Sequence, residues 1–468
     1  MGSIRDAIRK QVFVCLFLLT AGLTACSQQT QPDLERLYQM ARPSQQPPVI
    51  LIHGIMGARL ADRANGEEIW PGTISRLAFS EYAELALQID PETLEPLASS
   101  LETSGLADQV AGRDYYGNIT RVLEKAGGYQ FTMPGRRDKN ADREYYVFTY
   151  DWRQDNVVTA GRLAGLIESI QADHGDPDLK VDLLAHSMGG LVARYYLRYG
   201  RLDVLDDNEF PVNYSGAANV RRVVLLGTPN LGSVGSLHAF IEGTKVGFRR
   251  ISTEVLATMP SVYQLFPHNL HEWLVMPNGK PLERDIFDVE IWRRFQWSIF
   301  NPEVRLRVLA DAESEAAGTA WLDTMEHYFE KRLERARRFV WSLTVPVPEA
   351  PYRLVVFGGD CLATSAKLLV EEIDGVSEIR LNPRDVKTRV AGIDYERLMQ
   401  EPGDGTVTKA SLLARDDLDP SVRRHRYIDF PLDYPLFLCE RHDQMTGNVT
   451  FQDNLLHTLL SPDTDRSR

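Results

Sequence analysis

Ser187 stands in the run Leu183-Leu184-Ala185-His186-Ser187-Met188-Gly189-Gly190. A serine hydroxyl is a poor nucleophile near neutral pH. It becomes a good one when an imidazole takes its proton and a carboxylate holds that imidazole in the right tautomer. Small residues two places before and two after the serine suit a sharp turn from strand to helix, because such a turn brings neighbouring backbone very close. Ala185 and Gly189 fill those places, so the usual G-x-S-x-G is softened to A-x-S-x-G. The chemistry such a serine would carry is acyl transfer through a covalent ester. Any strand-to-helix turn also favours small residues, so the rest of the chain must supply a base and an acid.

There are ten histidines. His53 and His186 sit at strand ends that precede or adjoin the serine. His457 falls inside a helical pattern and is expected to be partly buried structure, and His425 falls in an expected strand. His442, in Cys-Glu-Arg-His-Asp-Gln-Met-Thr-Gly-Asn, is expected in a loop between an apolar strand and a terminal helix. That is where the base belongs when acid and histidine follow the serine in the chain. Two acids are open on the residues alone: Asp404, between glycines in Pro402-Gly403-Asp404-Gly405, and Asp360, ending the strand-like Val356-Phe357-Gly358-Gly359. The negative oxygen of an acyl-transfer intermediate also needs donors. The expected ones are the backbone N–H of Met188, opening the helix after the serine, and that of Ile55, after Val49-Ile50-Leu51-Ile52-His53-Gly54. No His, Cys or acidic spacing suggests a metal site, and no cofactor is expected.

These side chains need a frame. Compact runs dense in Val, Ile and Leu begin near Pro47, Arg143, Leu179, Val220 and Tyr352, and helical patterns separate them. Such alternation predicts an α/β fold whose mostly parallel sheet is buried on both faces, with ligands at the carboxyl ends of its strands. The helical pattern from Thr159 closes on Gly175, where a C-terminal cap glycine belongs. Two stretches break the alternation, each directly after a strand's carboxyl end. Residues 59–113 read as mostly helical and acidic, and 233–350 as a longer helical cap holding Trp273, Trp292, Trp297, Trp321 and Trp341. Both are placed to cover the site, and most of these tryptophans are expected to be the cap's own core. The core is thus expected over 47–232, with 59–113 inserted, and over 351–460.

The amino end reads separately. Arg5, Arg9 and Lys10 precede an apolar run, Val12 to Leu23, too short for a stable span. Residues 1–25 are expected to be a signal peptide. Leu23-Thr24-Ala25-Cys26 resembles the lipobox of bacterial lipoproteins, which makes Cys26 the expected lipidation site, 26–46 a tether, and the outer membrane, facing periplasm or cell surface, the expected address. Export would permit a disulfide between Cys361 and Cys439, the two remaining cysteines apart from Cys15. The net charge of −13, without a basic stripe, speaks against nucleic acid as a partner. Nothing here sets an oligomeric state.

With these residues in place, the chain resembles the lecithin:cholesterol acyltransferase family, whose members include plant phospholipid:diacylglycerol acyltransferases and a lysosomal phospholipase. The matching pieces run in the family's order: Pro48 to Leu60, Ile69-Trp70-Pro71-Gly72, Tyr150-Asp151-Trp152-Arg153, the elbow, Leu225 to Ser233, Met259 to Pro267, Gly403-Asp404-Gly405-Thr406-Val407, and the segment around His442. The resemblance implies the α/β-hydrolase fold with cap insertions, and a Ser187–Asp404–His442 triad with Asp404 preferred to Asp360. It further implies a buried corner ion pair between Asp151 and Arg153, and a Cys361–Cys439 bridge like the second bridge of the animal enzymes. The implied activity is a serine esterase or O-acyltransferase on an acyl lipid, phospholipid or acylglycerol. Two departures stand out. Thr408-Lys409 replaces the family's usual proline after the acid turn, and 59–113 lacks the cysteine pair of the animal lid. An esterase or amidase of another substrate class, or a non-catalytic lipoprotein keeping the fold as a binding module, are the alternatives.

Overall fold

In the computed structural model, residues 32–39, 45–110, 113–269, 271–345, 350–414 and 430–461 are described. The expected signal peptide, Cys26 and His425 lie outside them.

Seven strands make the central sheet: β1 Val49–Ile52, β2 Gln130–Phe131, β3 Glu144–Phe148, β4 Val181–His186, β5 Val220–Leu226, β6 Leu354–Gly359 and β7 Leu432–Leu438. Their order is β7-β6-β5-β4-β1-β3-β2, and every pairing is parallel. Each position of β1, β4 and β6 is buried, without alternation. That is the signature of strands covered on both faces. The covering helices include α1 Asn156–His174 and α2 Met188–Tyr199, in which every residue is buried. The α1 N-cap Asp155 accepts the Val157 N–H, and Gly175 closes the helix at φ +65°. Register places Ile52 beside Ala185 and His186 beside Leu226, so the loops leaving β1, β4 and β5 emerge at one level. The sheet belongs to the α/β-hydrolase fold.

The second insertion is largely helical, with the short strands Thr244–Val246, Arg249–Ile251 and Leu274–Val275 among its helices. It contains α3 Val234–Glu242 and the long α4 Glu315–Ser342. Trp273, Trp292 and Trp297 are buried, while Trp321 and Trp341 are partly buried against the core. Trp292 meets Phe240, Phe266 and Phe329 within 4.9–5.6 Å between ring centres. This aromatic cluster is continuous with the sheet's own core, so the cap is not a separately cored body.

The first insertion corrects the helical expectation. Ala58–Asp62, Glu68–Trp70 and Leu101–Leu106 form a three-stranded antiparallel sheet, and the only α-helix described within 59–110 is Ile74–Phe79. Its acids do not line a helix face. The Asp62 carboxylate accepts the N–H groups of Ala64 and Asn65, and Asp90 those of Glu92 and Thr93. Carboxylates used this way stabilise turns in competition with helix.

The corner after β3 ties both insertions down. Arg153 is fully buried and donates to both carboxylate oxygens of Asp151 at 2.9 and 2.8 Å. Its remaining donors reach the Leu85 carbonyl and Ser99 Oγ in the first insertion. Trp152 Nε1 donates to the Ala58 carbonyl, and Ser261 Oγ, in the second insertion, donates to the Trp152 carbonyl. A buried guanidinium needs this full set of acceptors to offset its desolvation.

Two terminal expectations change in detail. Within the segment read as a tether, Leu34–Gln39 forms a short helix. Leu34 packs with Val122, Ala126 and Leu456, and Tyr38 Oη donates to Asp453. His457 lies in the terminal helix α5, Val449–Leu460, but faces solvent.

Candidate active site

Ser187 follows β4 directly and has φ 53° and ψ −127°, a conformation that L side chains rarely adopt. The turn closes because its neighbours have no side chain in the way. A Cβ on Gly189 would lie 2.4 Å from the His53 carbonyl oxygen, and one on Gly54 2.7 Å from Ser187 Cβ. Both approaches are closer than real Cβ atoms come. Gly189 of the motif and Gly54 of the facing loop are therefore steric requirements of the elbow.

His442 lies in the loop between β7 and α5. Its Nε2 is 3.1 Å from Ser187 Oγ and its Nδ1 is 2.8 Å from Asp404 Oδ2. The His442 backbone N–H also donates to the Asp404 carbonyl. Asp404 is 2% exposed, and its Oδ1 accepts the N–H groups of Thr406 and Val407. Burial alone would raise this carboxyl. The facing imidazole and the two N–H donors outweigh burial and hold it below the usual carboxylate range. Burial alone would likewise lower His442, but the Asp404 carboxylate prevails and the imidazole is held above its ordinary value. Three side chains from distant parts of the chain therefore form one hydrogen-bonded line.

The alternative acid is engaged elsewhere. Asp360 Oδ2 accepts from Lys409 Nζ at 2.8 Å. This also explains the departure at Thr408-Lys409: Thr408 Oγ1 caps the short helix Lys409–Leu412, and Lys409 turns to Asp360 and lies 3.9 Å from the Phe437 ring centre. Cys361, next to Asp360, is joined by a disulfide to Cys439, three residues before His442.

Met188 opens α2, and Ile55 follows Gly54. The Gly54–Ile55 peptide is held on its carbonyl side. His53 Nε2 accepts the Tyr150 N–H, so the proton sits on Nδ1, which donates to the Gly54 carbonyl at 2.7 Å. The Gly57 N–H donates to the same oxygen. In a trans peptide the N–H points opposite to the carbonyl, so fixing one fixes the other. His53 is stacked on Tyr150 at 4.1 Å, and burial pushes it down to about 4, keeping it neutral.

A residue not found from sequence completes this side. Tyr116 Oη accepts the Gly54 N–H at 2.8 Å and is hydrogen-bonded to His186 Nδ1 at 2.9 Å. Burial, with His442 beside it, pushes His186 down to about 3. Its ring centre is 5.0 Å from that of His442, so a neutral imidazole backs the polarised one. No motif marks Tyr116; it reaches the site from 62 and 70 residues away.

The line of side chains opens on a cavity of about 560 Å³, with Ile55, Met56, Trp70, Leu77, Val246 and Leu265 among its walls. It is thus lined from the loop after β1 and from both insertions, and its apolar walls suit a hydrocarbon chain.

A family model described as lecithin:cholesterol acyltransferase matches residues 139–413, more than half of the chain. The chain belongs to the lecithin:cholesterol acyltransferase family. The span that matches this acyltransferase family holds Ser187 and Asp404 and ends before His442. Among solved structures, a chain in the Tle4–Tli4 complex is similar at 17% identity and a TM-score of 0.51, covering 88% of this chain and 98% of that one. EstA from Clostridium botulinum has 14% identity and a TM-score of 0.35, over 89% and 87% of the two chains. Lipase 1 from Pelosinus fermentans has 13% identity and a TM-score of 0.36, over 89% and 99%. At 17% identity the first of these likenesses speaks for the fold alone. No curated protein matches the chain.

Proposed function

We propose that this family member is a serine esterase or O-acyltransferase acting on an acyl lipid, phospholipid or acylglycerol. The observation that carries the reading is the line Ser187 Oγ–His442 Nε2, His442 Nδ1–Asp404 at 3.1 and 2.8 Å, facing a largely apolar cavity. In this mechanism Ser187 Oγ attacks the ester carbonyl while His442 Nε2 takes its proton. The Ile55 and Met188 N–H groups receive the developing oxyanion. His442 returns the proton to the leaving alcohol, and an acyl ester remains on Ser187. Water or an acceptor alcohol, deprotonated by the same nitrogen, then releases the acyl group. Asp404 holds the Nδ1–H tautomer and stabilises the imidazolium throughout. No cofactor takes part.

We extend the proposal to place: export through residues 1–25 and anchoring through Cys26 rest on the sequence alone. Among the described residues, no helix is long and apolar enough to cross a membrane.

The test is labelling by a fluorophosphonate, followed by lipid profiling of the chain and its Ser187→Ala variant. The expected result is adduct on Ser187 and consumption of phospholipid or acylglycerol by the parent only. Folded protein that takes no label would sink covalent acyl chemistry. Labelling with turnover of small esters alone would move the substrate to another class.

A further inference from the structure

Met56 follows Ile55 in the turn Gly54–Gly57, which the Gly57 N–H closes on the Gly54 carbonyl at 3.1 Å. Its φ is +61°, in the left-handed region where turns ordinarily use glycine. The two glycines of the turn serve another purpose. A Cβ on Gly57 would lie 2.8 Å from His53 Cβ, and one on Gly54 would meet Ser187. Glycine thus stands where room is short, and methionine where backbone conformation favours glycine. A methionine kept in that conformation must be restrained from outside the turn.

The restraint comes from the first insertion. Trp70 Nε1 donates to the Met56 carbonyl at 2.9 Å. Trp70 is itself buried and fixed: it pairs with Leu60 in the antiparallel sheet, and its ring stands edge-on to Tyr82 and Trp152 at 5.5 and 5.6 Å. Tyr82 Oη donates to the carbonyl of the next residue, Pro71. Beyond Met56, the Ala107 N–H holds the Gly57 carbonyl and Trp152 Nε1 the Ala58 carbonyl. Trp70 and Met56 wall the cavity beside Ile55. Neither has a part in the mechanism above.

We infer that Trp70 is a positioning residue for the oxyanion: its indole N–H, through the Met56 carbonyl, keeps Met56 left-handed and so aims the Ile55 N–H. The inference rests on the acyl-transfer reading proposed above. The Gly54 carbonyl is gripped at two points, His53 Nδ1 and the Gly57 N–H. Two grips fix the plane of the Gly54–Ile55 peptide, and with it the direction of the Ile55 N–H. If Met56 relaxes to negative φ the turn opens, the Gly57 grip is lost, and the peptide rocks about the single bond from His53. A donor that rocks stabilises a developing oxyanion less well than one held in place, and leaves the binding of the uncharged ester little affected.

The experiment is steady-state turnover of a soluble short-chain ester by the full chain, with titration of a tetrahedral boronate on Ser187. Trp70→Phe keeps an aromatic ring beside Tyr82 and Trp152 and removes the donor. It is expected to lower kcat about tenfold with KM little changed, and to weaken the boronate by the same factor. The deciding comparison repeats this substitution in a Met56→Gly background. Glycine takes positive φ unaided, so Trp70→Phe is expected to lower kcat there no more than about twofold. A tryptophan that served only packing would give the same loss in both backgrounds. Met56→Val tests the turn with Trp70 in place: a β-branched residue resists positive φ, and kcat is expected to fall at least as far. Equal losses in the two backgrounds, a KM that rises as kcat falls, or a parent-like kcat in Trp70→Phe or Met56→Val overturns the inference and leaves the triad standing. A parent that takes neither a fluorophosphonate nor the boronate removes the acyl chemistry and the inference with it.

Discussion

The two sides of Ser187 are held by different physics. On one side, β1, β4 and the Tyr116 corner fix the elbow and the loop after β1 by close packing and neutral hydrogen bonds. Gly54 and Gly189 admit no side chain, and His53 and His186 are kept uncharged by burial. On the other side, His442 and Asp404 sit in loops beyond the sheet, joined by charge, by the His442 N–H on the Asp404 carbonyl, and by the Cys361–Cys439 disulfide nearby. The first side has its order built into the strands. The second depends on a few specific links, and should fail when one link is cut while the fold persists.

The largest effect is expected at the charged link. Asp404→Asn keeps the shape but removes the carboxylate that sets the imidazole tautomer, so kcat should fall about 10⁴-fold. The pH profile sharpens this. His442 must be neutral to accept the serine proton, and its protonated form is stabilised by Asp404, so activity should rise with pH through a midpoint above the ordinary 6.5. Without that carboxylate, burial is opposed only by the smaller pull of Asp443, so the midpoint of the residual activity in Asp404→Asn should fall below that of the parent. An unmoved acid limb would mean that the titrating group is not His442.

The covalent link comes next. Cys361 and Cys439 are 78 residues apart in sequence, and cutting a native bridge of this kind typically removes about 2–5 kcal/mol. Reduction under non-denaturing conditions should lower the melting temperature and depress activity, because the bridge ends three residues from His442. Unchanged melting and turnover would show that the loop keeps its place without the bridge.

What could be read in advance divides along the same line. Strands β1, β4, β5 and β6 were legible because strands buried on both faces need continuous runs of Val, Ile and Leu, whereas the exposed Gln130–Phe131 of β2 carries no such run. The elbow was legible because Gly189 admits no side chain. His442 could be named from its loop, whereas Asp404 was separated from Asp360 only by the family resemblance; the chain brings His442 and Asp404 to Ser187. The first insertion differs from its helical expectation because the Asp62 and Asp90 carboxylates accept backbone N–H groups two and three residues on and so close turns. Tyr116 was missed because its work is done by one hydroxyl far from its chain neighbours, and Tyr115-Tyr116 before a helix carries no periodic or spacing signal. Tyr116→Phe should leave the Gly54 N–H buried without its partner, at a cost of about 1–3 kcal/mol. If the Ile55 N–H receives the oxyanion as proposed, part of that should appear as a fall in kcat with KM little changed. Equal loss of affinity for substrate and for a tetrahedral boronate analogue would instead mark Tyr116 as merely structural.

The smallest effect is expected at the acid that does not face the imidazole. Asp360 and Lys409 are each about a third exposed, with side-chain exposures of 30% and 28%, and their pair at 2.8 Å is open to solvent. Exposed pairs of this kind contribute about 0–1 kcal/mol. Asp360→Asn should therefore shift melting slightly and lower turnover by no more than a few-fold, with the pH midpoint unchanged. The contrast with Asp404→Asn isolates what the protein does with a carboxylate. Both acids lie beside the disulfide-linked loops, but only Asp404 is buried against the ring with its other oxygen occupied by backbone N–H groups. A charge so placed cannot be replaced by water or by a neighbouring side chain, whereas Lys409 can exchange Asp360 for solvent. If Asp360→Asn were as damaging as Asp404→Asn, His442 would have to swing to the other carboxylate during turnover.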